Sequence, residues 1–160
     1  MTGVRGLLAS LGVDAPLLGR LKDGETIASH KKFDPQLLEA IHAIAYARYE
    51  AGHVEEAESL FLFLGMHDHT EPRYLQGLGC CRFALDDSDS AIALLEQAIA
   101  LDEQNPHALL ALGSVYEASG EIVQAQQMFE RAIRVCGDQS QLRAELGLAK
   151  QALKATQEAG

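Results

Sequence analysis

Residues 106–139 read PHALLALGSVYEASGEIVQAQQMFERAIRVCGDQ. Shifted back by 34 positions, this stretch overlays residues 72–105, PRYLQGLGCCRFALDDSDSAIALLEQAIALDEQN. Shifted again, it overlays residues 38–71, LEAIHAIAYARYEAGHVEEAESLFLFLGMHDHTE. Gly52, Asp86 and Gly120 fall into one column, Ala57, Ala91 and Ala125 into another, and Phe61, Leu95 and Phe129 into a third. Ahead of the glycine column stand Ala45, Gly79 and Gly113, then Ile44, Leu78 and Leu112, then Ile41, Leu75 and Leu109, with no gap. A fixed period in this range marks a chain built from stacked supersecondary units. The apolar columns are spaced as on one face of a helix, and no alternating strand pattern competes.

The column types have physical jobs. A small residue at Ala45, Gly79 and Gly113 lets a first helix approach its second helix closely, and Ala57, Ala91 and Ala125 do the same from the other side. Phe61, Leu95 and Phe129 are expected to fill the space between repeats. Gly52 and Gly120 suit the left-handed conformation that ends a helix. Asp86 tolerates that conformation less well, so a looser turn is expected there. Asp34-Pro35, Glu71-Pro72 and Asn105-Pro106 put proline at the first helical position. The predicted helices span 35–51, 54–67, 72–85, 88–101, 106–118, 122–135 and 140–157.

Large apolar, two spacers, Leu, Gly or Ala, six spacers, Gly, four spacers, Ala, three spacers, Phe: this pattern resembles the tetratricopeptide-repeat (TPR) consensus. It implies an all-α solenoid of three helix-turn-helix repeats, 38–71, 72–105 and 106–139, within a repeat domain at 35–139. Leu146-Gly147 continues the phase, so 140–160 reads as a capping helix and tail. Residues 1–34 form a separate N-terminal helical segment. There, Leu7, Leu8, Leu11, Leu17, Leu18 and Leu21 lie on apolar stripes at 3–12 and 15–22, while 23–33 read as polar loop. An amphipathic segment buries its stripe on something; the alternatives are packing on the first repeat or a homodimer interface.

At 160 residues one domain has core enough without disulfide or metal. The balance of 13 Lys and Arg against 23 Asp and Glu, net −10, lacks the basic cluster that phosphate backbones or anionic lipids require. Nucleic acid is therefore excluded as a partner class. The early run Gly6–Leu11 is too short for a signal peptide or a membrane span, so no membrane insertion and a cytoplasmic location are expected. Cys80, Cys81 and Cys136 are an odd set with two adjacent members, read as reduced thiols.

In a TPR the first helices line a concave groove. Its positions here are Glu39, His42, Tyr46 and Tyr49 in repeat one, Arg73, Gln76, Cys80 and Phe83 in repeat two, and His107, Leu110, Ser114 and Glu117 in repeat three. Arg73 is the single cation, too few to clamp an acidic C-terminus. The aromatic side chains suit an extended segment that inserts apolar side chains into pockets, and they equally suit ordinary helix packing.

The stretch from Leu21 to Phe83 is more specific. It contains LKDGETIA at 21–28, YEAGHVEEAESLFLFL at 49–64, HDH at 67–69 and RYLQGLGCCR at 73–82. Arg73, Gly77, Leu78, Gly79, Cys81 and Arg82 match a second-repeat motif, and the order of these pieces resembles the class II chaperones of type III secretion, the LcrH/SycD-type translocator chaperones of Gram-negative bacteria. The resemblance implies a cytoplasmic chaperone whose partners are hydrophobic secreted translocator proteins. It would bind an extended segment of them in the groove, with His42, Tyr46 and Tyr49 as repeat-one contacts and with dimerisation through the N-terminal helix. His42 stands where that family has an aromatic residue, and the third repeat, LLALGSVYEASG at 109–120, reads as a general TPR.

Other chemistry is set aside. His67 and His69 at i and i+2 diverge on a helix and have no further ligand at useful spacing. Cys80-Cys81 is not a CxxC, and Cys81 reads as a small packed hydrophobe. No nucleophile, base or phosphate-loop motif points to an enzyme or a cofactor. The competing function is a general TPR scaffold that holds folded partners on its other surfaces.

Overall fold

The computed structural model describes residues 33–158. The N-terminal leucines Leu7, Leu8, Leu11, Leu17, Leu18 and Leu21, and the two short helical pieces expected at 3–12 and 15–22, lie outside the described residues. The chain divides into two compact units, Met1–His69 and Thr70–Gly160. Among the described residues every regular element is helical.

The first unit holds α1 (Pro35–Glu50) and α2 (Val54–His67), packed on each other. Asp34 caps α1, its Oδ1 accepting the Gln36 N–H at 2.9 Å, and Pro35 takes the first helical position. The buried faces carry Ile41 and Ala45 from α1 and Ala57, Leu60, Phe61, Phe63 and Leu64 from α2. Phe33, just ahead of the cap, sets its ring edge-on to Phe63 at 5.5 Å and to His67 at 5.4 Å.

The second unit contains α3 (Pro72–Ala84), α4 (Ser88–Leu101), α5 (Pro106–Ala118), α6 (Ile122–Cys136), a 3₁₀ turn (Ser140–Leu142) and α7 (Arg143–Glu158). Each helix packs on the next, while α5 also touches α3 on one side and α7 on the other. The core joins Ala91, Leu95, Ala98 and Ile99 of α4 to Ala108, Leu109, Leu112 and Val115 of α5, then to Ala132 and Ala149. Ala149 and the fully buried Thr156 show α7 covering the end of the stack. The final segment thus starts as a 3₁₀ turn and becomes α-helix only at Arg143.

The small column works as expected. A methyl group on Gly79 would stand 2.8 Å from Leu95 Cγ, and one on Gly113 would collide with the Phe129 ring. Leu95 and Phe129 therefore seat on the first helix of their own repeat, closer than a role only between repeats would require.

Asp86 corrects the expected looser turn. Its φ of 63° lies beside the 80° of Gly52 and Gly120. All three turns close with the same two hydrogen bonds. Gly52 N–H donates to Tyr49 O at 3.0 Å and His53 N–H to Arg48 O at 2.9 Å. Asp86 donates to Phe83 O at 3.1 Å and Asp87 to Arg82 O at 2.9 Å, while Gly120 donates to Glu117 O at 3.1 Å and Glu121 to Tyr116 O at 2.8 Å. This double closure is the Schellman ending. The next residue strengthens it: Asp87 accepts the Ser90 N–H at 3.2 Å and faces Arg82 at 3.7 Å. Those bonds outweigh the modest cost of an aspartate in the left-handed region.

Candidate functional site

The groove-position residues divide between the two units. In the first, Glu39 is exposed, and His42, Tyr46 and Tyr49 are half-buried along α1 at helical spacing. His42 and Tyr46 pack edge-to-face at 5.2 Å, and both rest on the buried Phe61 ring of α2, at 5.9 and 5.7 Å. Each ring pair has the edge-on geometry that its quadrupole favours. Phe61, expected to fill the space between repeats, is the base of this aromatic platform. Its column in the repeat was a sufficient signal for its burial but not for its two aromatic neighbours. His42 thus takes an aromatic position by using its own ring as one.

In the second unit Arg73 is held close to the chain. Its Nε and Nη2 donate to Glu71 Oε1 and Oε2 at 3.0 and 3.1 Å, a bidentate pair, and Glu71 Oε1 also accepts the Arg73 N–H at 3.3 Å. The one cation among the groove positions is thus already matched by a carboxylate two residues away, a partner visible in the sequence as the residue before Pro72.

Gln76 is more internal than a groove contact needs. It is 6% exposed, and its Oε1 accepts from Asn105 Nδ2 at 3.0 Å. Asn105 in turn caps α5, its Oδ1 accepting the N–H groups of His107 and Ala108 at 3.0 and 3.1 Å. Gln76 therefore positions the start of the next repeat. The pairing spans 29 residues, a separation at which no local motif signals it.

Cys80 is half-buried, and burial pushes its thiol up to about 11, so it stays neutral at physiological pH. Phe83 and Leu110 are partly buried and packed against the core. Ser114 is exposed and donates to Leu110 O at 3.1 Å, and Glu117 is half-buried. His107 is exposed and approaches Glu145 of α7 at 3.5 Å, which links the third repeat to the capping helix. Cys81 is fully buried, as a packed hydrophobe should be. No group of His, Cys, Asp and Glu among the described residues has the arrangement of a metal site, and none of the described helices is long and apolar enough to cross a membrane.

These faces offer aromatic edges, aliphatic side chains, a neutral thiol and a hydroxyl. They can hold apolar side chains of a polypeptide with a few polar contacts.

Comparison with known proteins gives three useful likenesses and a family match. The tetratricopeptide-repeat family model matches residues 82–146. Low calcium response locus protein H of Yersinia pestis is 33% identical over 115 residues, which cover 68% of this chain and 68% of that protein. PcrH of Pseudomonas aeruginosa, solved in complex with the chaperone-binding region of PopB, is 25% identical with a TM-score of 0.71, over 78% of this chain and 100% of PcrH. SycD, the type III secretion translocator chaperone of Yersinia enterocolitica, solved as an alternative dimer, shares the fold at a TM-score of 0.74 and 23% identity, over 81% of this chain and 98% of its own. The identity to the Yersinia pestis protein over two thirds of both chains, together with three registered repeats, establishes the family: this chain belongs to the class II translocator chaperones of type III secretion, built on the tetratricopeptide repeat.

Proposed function

We propose that this protein is a cytoplasmic chaperone of type III secretion. It binds hydrophobic translocator proteins through an extended segment laid along the first helices of its repeats, and it keeps them soluble and competent for export. The observation that carries this reading is the character of the groove positions. Tyr46 stands half-buried on Phe61, Phe83 and Leu110 are only partly buried, and the sole cation among these positions is already paired with Glu71. Such positions disfavour an acidic C-terminus as ligand and favour apolar side chains on an extended backbone. The complex of PcrH with the PopB region supports the same mode of binding.

The test is co-expression with a hydrophobic type III translocator. The chaperone keeps the translocator in the soluble fraction and co-purifies with it. Tyr49→Ala combined with Phe83→Ala lowers co-purification by about tenfold or more, since buried aromatic contacts dominate such interfaces. A translocator that is equally soluble without the chaperone, or unaffected co-purification, overturns the reading.

The alternative dimer of SycD also supports a homodimer here; we place its interface on the apolar stripe of the N-terminal leucines Leu7, Leu8, Leu11, Leu17, Leu18 and Leu21. Light scattering of a chain lacking residues 1–22 should then report a monomer, and a persisting dimer refutes that interface.

A further inference from the structure

Away from the groove positions, the second unit contains a cleft of about 360 Å³ lined by Glu103, Gln104, Arg131, Arg134 and Val135. It is a shallow depression open to solvent with a mainly polar lining, suited to a side chain and not to an enclosed small molecule. Arg131 and Arg134 are three residues apart on α6 and share one face of it. Arg131 is half-buried and Arg134 exposed. Within the described residues neither guanidinium has an ion pair or hydrogen-bond partner, although Arg48, Arg73, Arg82 and Lys154 each face a carboxylate.

Arg143 and Lys150 of α7 likewise lack such a partner; what sets Arg131 and Arg134 apart is that both line this one cleft, unpaired in a chain of net charge −10. A helix-end effect accounts for part of it: Arg134 lies in the last turn of α6, where a cation offsets the partial negative charge of the helix terminus. Arg131 lies outside that turn, and neither side chain donates to the end of α4, two residues ahead of Glu103 in the chain.

We infer that this cleft is a second contact site, which takes one carboxylate side chain of a partner polypeptide. Two planar guanidiniums match a carboxylate in charge and fork geometry. Val135 supplies an apolar wall beside them, and Gln104 an amide able to bond the partner's backbone. Glu103 sets the stoichiometry. With two cations and one anion, the cleft is left with one positive charge, which a single Asp or Glu neutralises. A run of acidic residues or a phosphodiester chain would meet the Glu103 carboxylate and be repelled. The site stands on these residues and does not depend on how the groove positions bind.

The experiment follows the arginine Nε–H signals of the full chain by nuclear magnetic resonance. The probes are the capped peptide Gly-Val-Glu-Val-Gly, its Gln isostere, a ten-residue oligothymidylate and sodium acetate. The Glu peptide shifts the Arg131 and Arg134 signals saturably, and the Gln peptide binds about fivefold more weakly or worse. Arg131→Met with Arg134→Met removes the binding with an unchanged circular dichroism spectrum, and Glu103→Gln tightens it by roughly two- to fivefold. Equal binding of the Glu and Gln peptides overturns the site. So does tighter binding of the oligonucleotide, or acetate that reproduces the full effect at the same concentration.

Discussion

Asn105 donates its side-chain amide to Gln76 at 3.0 Å, and the two residues are 8% and 6% exposed. One side chain thereby caps α5 and fastens it to α3, so the start of the third repeat is held by the body of the second. Hydrogen bonds in such surroundings are consequential because a lost partner leaves a desolvated polar group behind.

Asn105→Ala removes the cap of α5 and the hydrogen bond to Gln76 Oε1. The expected cost is about 1.5–2.5 kcal/mol, from a cap of about 1 kcal/mol and a lost hydrogen bond of about 0.5–1.5 kcal/mol. Urea unfolding checks it. Gln76→Leu by itself loses the same hydrogen bond, so adding it to that variant should cost less than it does alone. A double variant weaker than the sum of the two single losses contradicts the coupling.

The same substitution has opposite signs at two glycines of equivalent register. Gly113→Ala drives a methyl group into the Phe129 ring and should destabilise by about 1–3 kcal/mol. Gly147→Ala meets nothing within 4 Å among the described residues and should stabilise α7 by up to about 1 kcal/mol through helix propensity. Thermal melts of the two variants decide it, and a shared sign would contradict the packing described.

Asp86→Gly should raise stability by up to about 1 kcal/mol, since it relieves a left-handed aspartate while keeping both closing hydrogen bonds. Asp86→Val should lower it, because a β-branched residue at φ 63° is strained. Denaturant midpoints with unchanged slopes are the readout.

Cys80 has a folded-state pKa of about 11, raised by burial from an ordinary 9.0. The neutral thiol is the favoured folded form, so its contribution to stability is full below pH 9.0 and lost as the pH rises through about 11. At pH 8 the folded protein should alkylate at Cys80 about a hundredfold more slowly than after unfolding in urea. Peptide mapping by mass spectrometry separates Cys80 from Cys81 and Cys136, and an equal rate in both states excludes a buried thiol.

The helix frame was legible because its punctuation is local. Proline after a capping residue opened α1, α3 and α5, and a left-handed column closed α1 and α5. The small residues at Gly79 and Gly113 were readable for the same reason, as one column of a gapless register. The bond from Gln76 to the next repeat was not legible, because its partner is a capping residue 29 positions away and capping motifs show only their local half. The tight turn at Asp86 was not legible, because residue propensity does not register the two backbone bonds and the neighbouring Asp87 that hold it. The platform under Tyr46 needed the crossing of α1 and α2, which a repeat pattern implies without fixing which rings touch.

The unlike fillers Leu95 and Phe129 make the repeats keyed parts rather than interchangeable ones. Each second helix has a tooth cut for its own first helix, a branched aliphatic against Gly79 and a flat ring against Gly113. A chimera that exchanged α4 and α6 would bring the right consensus letters into the wrong locks. Duplication of such an array, in evolution or in the laboratory, must therefore copy helix pairs whole.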